Sequence, residues 1–140
     1  MSKFPYRQCS YSLVESFIHR IKNWRIKGAA SVIAIDHDPW SIKNAAENCK
    51  KNKCRKTKLL LQSQITGKKK YDVILANISR NVILENLQGI NSHLNPHGIL
   101  VISGFLKEDE DEMIISLENH QLKKAKKLVR DNWLCISLEK

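Results

Sequence analysis

Short, continuous apolar runs alternate along this chain with segments whose apolar residues keep a helical spacing. The apolar runs are rich in β-branched residues, as is typical of strands covered on both faces of a parallel sheet. They lie at residues 32–35, 59–61, 71–78 and 98–104. The pattern therefore predicts four buried strands connected mainly by helices.

The helix that follows the first run has clear start signals. Asp38 is a good N-cap, and Pro39 suits the first helical position, where its missing N–H costs nothing. The apolar positions of this predicted helix share one face: Ile42, Ala45, Ala46 and Cys49.

Three further helices are predicted from the same spacing. The first covers residues 11–24, with Ser10 or Ser12 as its cap and Gly28 closing it. The second covers residues 79–94 and is stopped by Pro96 and Gly98. The third opens with acidic residues 108–112, which suit the positive end of a helix dipole.

The chain ends in a predicted antiparallel pair of strands, at residues 123–130 and 133–138, joined by the turn signal Asp131-Asn132. Together the elements predict a Rossmann-like α/β domain with a doubly wound, mostly parallel sheet.

Two polar residues stand where predicted strands end. Ligands of open α/β sheets bind outside the carboxyl ends of the strands, where a carboxylate commonly holds the hydroxyls of a ribose. Asp36 is the candidate for that role, the alternative being a cap for the following helix. The strand predicted within the 71–78 run ends at Asn77, which is alternatively only a turn former.

Composition restricts the class of protein. The 140 residues suit one domain, and the absence of any apolar run of about 18 residues predicts a cytoplasmic protein without a membrane span. The four cysteines show no metal-site spacing, so free thiols and no metal are expected. The three tryptophans are expected to pack in the core or at sheet edges.

The chain is strongly basic, with 24 Lys+Arg against 14 Asp+Glu and a net charge of +10. A positive charge of this size favours RNA or a ribonucleoprotein surface as a binding partner. The alternative is that the lysines only form a solvated face. No aromatic residues are interleaved with the lysines, as base stacking would require. The lysine clusters lie at residues 50–53, 55–58, 68–70 and 123–127.

Several of these segments together resemble a known family. The motifs are Asp36-His-Asp-Pro39, the 71–78 run with its Ala-Asn-Ile ending, Leu94-Asn-Pro-His-Gly98 and Ile102-Ser-Gly-Phe105. They resemble class I S-adenosylmethionine-dependent methyltransferases, and most of all the PrmA family, which modifies protein eleven of the large ribosomal subunit. The resemblance runs from about Gly28 to Lys140.

The resemblance implies a role for particular residues. Asp36 would hold the ribose hydroxyls of S-adenosylmethionine, and His37 would lie beside the adenine. Ser63 would contact the adenine edge, and Asn77 would line the methyl-transfer pocket, where it positions the methionine part or the incoming amine.

The chain also departs from the family. The family has a first strand followed by a glycine-rich turn, yet no glycine precedes Gly28 here. No first strand is recognisable, unless residues 3–7 contribute a stub. Residues 1–27 are therefore expected to be a divergent segment with one helix, and residues 28–140 a partial catalytic domain.

Two functions follow as expectations. The first is a truncated or split protein methyltransferase that modifies lysine or amino-terminal amines of a ribosomal protein, with a complementing N-terminal chain as a further partner. The alternative is a non-catalytic basic remnant of the fold that binds RNA or ribosomal particles.

Overall fold

The structure, a computed structural model, describes the backbone of residues 8–12 and the whole of residues 29–140. Within these residues it has seven strands in one sheet, three α-helices and a single 3-10 turn. The strands are β1 Gln8–Ser12, β2 Ser31–Asp36, β3 Thr57–Leu61, β4 Tyr71–Asn77, β5 Leu94–Leu106, β6 Lys123–Arg130 and β7 Trp133–Glu139. The helices are α1 Pro39–Lys51, α2 Arg80–Ser92 and α3 Glu110–Asn119, and the 3-10 turn is Lys107–Asp109.

The strand order is β3-β2-β1-β4-β5-β7-β6. Strands β1 to β5 pair in parallel, whereas β7 runs antiparallel to both β5 and β6. This arrangement confirms the predicted doubly wound, mostly parallel sheet and its closing antiparallel hairpin.

Two apolar clusters cover the two faces of the sheet. On one face, Ala45 of α1 packs against Val32, Ala34, Val73 and Leu75. On the other face, α2 and α3 pack against the alternate strand positions, since successive side chains of a strand point to opposite faces. This second cluster is the larger and includes Ile74, Ile83, Leu87, Leu100, Ile102, Met113, Leu117, Leu134 and Ile136.

The expectation that the first strand is missing is wrong. β1 Gln8–Ser12 lies at the centre of the sheet, between β2 and β4. Its sequence, Gln-Cys-Ser-Tyr-Ser, contains no apolar run, so Ser10 and Ser12 resemble helix caps in the sequence instead. The strand forms because β2 and β4, which come later in the sequence, pair with its backbone on both sides. The helix predicted at residues 11–24 is wrong for its first two residues, which belong to β1. The rest of that helix and the stub at residues 3–7 lie outside the described residues.

The end of α2 also differs from the prediction. The helix stops at Ser92, and Leu94 belongs to β5, where it is buried opposite Tyr71. The sheet register then skips from this pair to Val73 opposite Ile99, which leaves residues 95–98 as an irregular insertion containing Pro96. The predicted strand start at Gly98 therefore misses the first part of β5.

Candidate active site

The ends of β2 and β4 lie level with each other on either side of β1. Ile35 and Ala76 are both register partners of Ser12, so the next residues, Asp36 and Asn77, stand at the same height. Two interstrand spacings separate them, or about 10 Å. The topology thus brings the two predicted site residues to the carboxyl edge of the sheet, where the strand order reverses and ligands of such folds bind.

Asp36 is a buried carboxylate held by the backbone. Its side chain is 0% exposed, and Oδ1 accepts a hydrogen bond of 2.9 Å from the N–H of Asp38. His37 is 73% exposed, and its Nδ1 lies 3.7 Å from Asp36 Oδ1. The carboxylate is therefore fixed in place, whereas the imidazole points into solvent beside it.

The capping role belongs to Asp38 rather than Asp36. Asp38 accepts hydrogen bonds from the N–H groups of Trp40 and Ser41, at 3.1 and 3.0 Å, and from the Ser41 hydroxyl at 2.9 Å. The Ser41 hydroxyl, followed by these two backbone donors, holds the pKa of Asp38 below its usual value. Asp36 thus is not the helix cap that the alternative interpretation required.

Ser63 lines a cavity of about 420 Å³ on the α2 face of the sheet. The N–H of Gln62 donates to the carbonyl of Asp36 at 2.9 Å, which places the chain after β3 beside the end of β2. The cavity has an apolar floor and a mixed wall contributed by α2. Its lining includes Ile35, Ile74, Ala76, Val82, Asn86 and Gly89.

Asn77 opens onto a different groove, of about 630 Å³, between the ends of β4 and β5 and the β6–β7 hairpin. Its Oδ1 accepts a hydrogen bond of 2.9 Å from the hydroxyl of Ser103, its register partner on β5. The far wall of the groove contains Leu128, Arg130 and Trp133. The structure therefore places the side chains of Asp36 and His37 next to each other. It does not bring Asn77 and Ser63 into one pocket.

Gly104, which follows Ser103, shapes the same edge. It has φ of +98°, and a Cβ there would lie 2.7 Å from the carbonyl oxygen of Ile78. The Ile78 N–H in turn donates to the Ser103 carbonyl at 3.1 Å. The Ser-Gly pair thus lets β4 and β5 stay in contact beyond Asn77.

Neither of the two tryptophans that the structure describes packs in the core, the first of the two positions expected for them. Trp40 is 70% exposed and Trp133 is 56% exposed. Each lies where a strand or helix begins, so its ring extends past the layer of packed side chains. Sequence reasoning misses Ser103 and Trp133 as site residues, because only the strand register places them near Asn77.

The part of the chain that the structure describes contains no helix long and apolar enough to cross a membrane. Cys49 and Cys54 are free thiols.

The described residues suit the nucleoside end of S-adenosylmethionine in position and charge. A carboxylate stands at the end of β2, and a cavity lies beside the chain after β3. Because Asp36 is wholly shielded, a ribose can reach it only if the covering atoms move aside. The sequence between β1 and β2 holds one glycine, Gly28, so it offers no glycine-rich turn for the amino-acid end.

Three comparisons with known proteins agree with this topology. A family model described as ribosomal protein L11 methyltransferase (PrmA) matches residues 24–140. Among curated proteins, the ribosomal protein L11 methyltransferase of Porphyromonas gingivalis is 34% identical over 111 residues, covering 78% of this chain and 38% of that protein. The protein of the same name from Brucella suis is 30% identical over 114 residues, covering 77% and 40%.

The fold comparison leads to the same group. The crystal structure of ribosomal protein L11 methylase from Lactobacillus delbrueckii subsp. bulgaricus has a TM-score of 0.89 at 24% identity, covering 98% of this chain and 71% of that one. N-methyltransferase NodS from Bradyrhizobium japonicum has a TM-score of 0.73 at 12% identity, covering 96% and 86%.

The chain spans about two fifths of the length of the curated relatives described above. The family match extends over most of the chain, and the fold is that of the class I methyltransferases. The chain therefore belongs to the ribosomal protein L11 methyltransferase (PrmA) family.

Proposed function

We propose that this chain contributes the nucleoside-binding part of an S-adenosylmethionine-dependent methyltransferase that modifies ribosomal protein L11. The observation that carries the proposal is the level placement of Asp36 and Asn77 on the two strands that flank β1. Family membership supports the choice of substrate. The acceptor is a lysine side chain or the amino terminus, since either presents an amine.

Asp36 would bind the ribose, because its two oxygens can accept hydrogen bonds from neighbouring hydroxyls. The Asp38 N–H orients one of those oxygens before any ligand arrives. His37 would lie beside the adenine, and Ser63 would contact the adenine edge from its cavity. These contacts fix the position of a nucleoside without needing to change its chemistry.

Asn77 would orient the incoming amine. The Ser103 hydroxyl fixes the rotation of the Asn77 side-chain amide, which lines the groove shared with the hairpin. When bound, the cofactor supplies an activated methyl group on a sulfonium, so the protein must align an uncharged amine and exclude water. No general base is required of the side chains at this edge.

The amino-acid end of the cofactor needs backbone N–H donors that approach it closely. A glycine-rich turn after β1 would provide them, but the sequence between β1 and β2 contains a single glycine. We assign residues 28–140 to a partial catalytic domain and residues 1–27 to a divergent segment, whose strand β1 completes the centre of that domain's sheet. A complementing N-terminal chain would then supply the remaining cofactor contacts and recognise the ribosomal substrate.

A second candidate function is a non-catalytic basic module that has kept only the fold. It is favoured by the single glycine between β1 and β2 and by the net charge of +10. Cofactor binding separates the two functions, because a remnant has no reason to retain a ribose site.

The test is calorimetric titration of the purified chain with S-adenosylhomocysteine. Binding in the micromolar range, about −8 kcal/mol, is expected for the intact chain. Asp36→Asn should weaken it at least tenfold, because the variant keeps the shape of the side chain and loses its charge. Asp131→Asn, at an exposed turn, should leave binding unchanged.

A second experiment follows methyl transfer. Purified ribosomal protein L11 is incubated with the chain and labelled S-adenosylmethionine, and modified sites are located by mass spectrometry.

The two experiments have separate contradicting outcomes. In the titration, no heat at millimolar S-adenosylhomocysteine would overturn cofactor binding by this chain alone. Binding without transfer would instead indicate that substrate recognition depends on another polypeptide.

A further inference from the structure

The two faces of the β6–β7 hairpin differ in the helices that the structure describes, since α3 packs on one of them and no helix within residues 29–140 packs on the other. On β7, Leu134, Ile136 and Leu138 are buried toward α3. The alternate positions therefore point away from α3, together with their register partners on β6. We call this second surface the open hairpin face. Its members are Lys126, Leu128, Arg130, Trp133, Cys135 and Ser137.

The open hairpin face exposes unusually large side chains. Leu128 is 73% exposed, Trp133 is 56% exposed, and the Arg130 side chain is 94% exposed. Within residues 29–140 the other aromatic rings are Trp40, which is exposed on α1, and Tyr71 and Phe105, which are buried. An exposed indole among apolar and basic neighbours is typical of a binding surface rather than of bare protein surface.

Charge on the hairpin divides between its two faces. Lys124 and Lys127 turn toward α3, where both contact Glu110, at 3.5 and 2.9 Å. On the open face, Lys126 and Arg130 lie beside the apolar side chains. Arg130 Nε is 3.8 Å from Oδ2 of Asp131, whose side chain is itself 88% exposed. The open face therefore remains basic, within a chain whose net charge is +10.

We propose that the open hairpin face binds single-stranded RNA. Arg130 is the register partner of Trp133, which sets a guanidinium beside an exposed ring. Aromatic rings stack on the bases of any single strand, while lysine and arginine contact its phosphates. An acidic peptide would satisfy the cations but has no flat base to match the indole.

The other lysine clusters do not offer this combination. Lys50 and Lys51 end α1, about 15 Å along the helix from the exposed ring of Trp40. Lys69 lies over the ring of Tyr71, at 5.8 Å from its centroid, but that tyrosine is buried. Sequence spacing does not reveal an aromatic among the hairpin lysines, because Trp133 comes from the partner strand.

The inference goes beyond methyl transfer and does not depend on it. It is tested with the full chain and a fluorescein-labelled uridine dodecamer, by fluorescence anisotropy at several salt concentrations and without cofactor. Trp133→Ala should raise Kd at least about fivefold while leaving the salt dependence unchanged, because stacking releases no counterions. Trp40→Ala is the matched control and should stay within twofold of the parent chain.

The paired substitution Lys126→Gln with Arg130→Gln should reduce the slope of log K against log salt by about 1.4, which is about 0.7 for each phosphate that the variant no longer neutralises. Lys50→Gln with Lys51→Gln removes the same charge on α1, which packs beside β2 and β3 at the other lateral end of the strand order, and should keep the slope. Unchanged circular dichroism melts exclude unfolding as the cause.

Three results would overturn the proposal. The first is an equal loss of RNA affinity in the Lys126/Arg130 and the Lys50/Lys51 double variants. The second is an equal change in Kd for Trp133→Ala and Trp40→Ala. The third is displacement of the dodecamer by a glutamate decapeptide as readily as by unlabelled RNA. The last result would assign the surface to acidic peptides.

Discussion

The hydroxyl of Ser103 donates a hydrogen bond of 2.9 Å to Oδ1 of Asn77 across the β4–β5 pair. The two residues lie 26 positions apart in the sequence and meet because their strands are in register. This bond orients the Asn77 amide at the mouth of the groove that leads to the hairpin. Its loss should therefore affect the orientation of a bound amine more than the binding of a nucleoside.

Ser103→Ala should lower kcat for methyl transfer about fivefold, since one hydrogen bond of this kind contributes about 1 kcal/mol. The affinity for S-adenosylhomocysteine should not change, because Asp36 lies on the other side of β1. Ser103→Thr keeps the hydroxyl and should retain most of the activity. An unchanged kcat in the alanine variant would remove the orienting role proposed for Ser103.

Much of the sheet could be predicted because its causes are local. β2 and β4 are short apolar runs, and both are almost wholly buried, as strands covered on two faces must be. The start of α1 follows from Asp38 and Pro39, whose capping contacts the structure confirms. The predicted strand ends at Asp36 and Asn77 are likewise confirmed.

The remaining features depend on contacts between distant segments. β1 Gln8–Ser12 is held by two neighbouring strands rather than by an apolar run of its own. The pairing of Asn77 with Ser103, and the position of Trp133 beside Arg130, follow from register. A one-residue slip would turn each of these side chains to the opposite face, so spacing along the chain could not predict the groove.

The capping carboxylate of α1 should make stability depend on pH. Hydrogen bonds from the Ser41 hydroxyl, and then from two backbone N–H groups, lower the pKa of Asp38 in the folded chain. Its contribution is therefore complete above the unfolded pKa, about 3.9, and is lost as pH falls through the lower folded value. Asp38→Asn should show a smaller decrease in melting temperature between about pH 5 and pH 2.

Ser41→Ala removes the largest cause of that shift and should flatten the same curve in part. Asp131→Asn serves as the control, since Asp131 is an exposed turn residue that caps no helix. Parallel pH curves for Asp38→Asn and the parent chain, measured by circular dichroism, would contradict the assignment.

Cys49 should react slowly with alkylating reagents in the folded chain. Burial, and after it the neighbouring Cys54, raise the pKa of the Cys49 thiol above its usual value. The reactive thiolate is therefore scarcer at about pH 8 than in an unfolded chain. Iodoacetamide labelling, quantified for the Cys49 peptide by mass spectrometry, should be slower in buffer than in urea. Equal rates in the two solvents would refute this expectation.

Gly104→Ala should destabilise the sheet at the candidate site. The substitution forces an L-residue to φ of +98° and drives Cβ to 2.7 Å from the carbonyl oxygen of Ile78. Gly67→Ala is the matched control, because Gly67 also has positive φ, +89°, yet nothing lies within 4 Å of its added Cβ. The control should cost about 1–3 kcal/mol from backbone strain alone. Gly104→Ala should cost about 1–3 kcal/mol more, because β4 and β5 must separate to accept the methyl group. Urea unfolding of both variants measures the difference in the free energy of unfolding. Equal losses would mean that the backbone at Ile78 moves aside for the methyl group at no energetic cost.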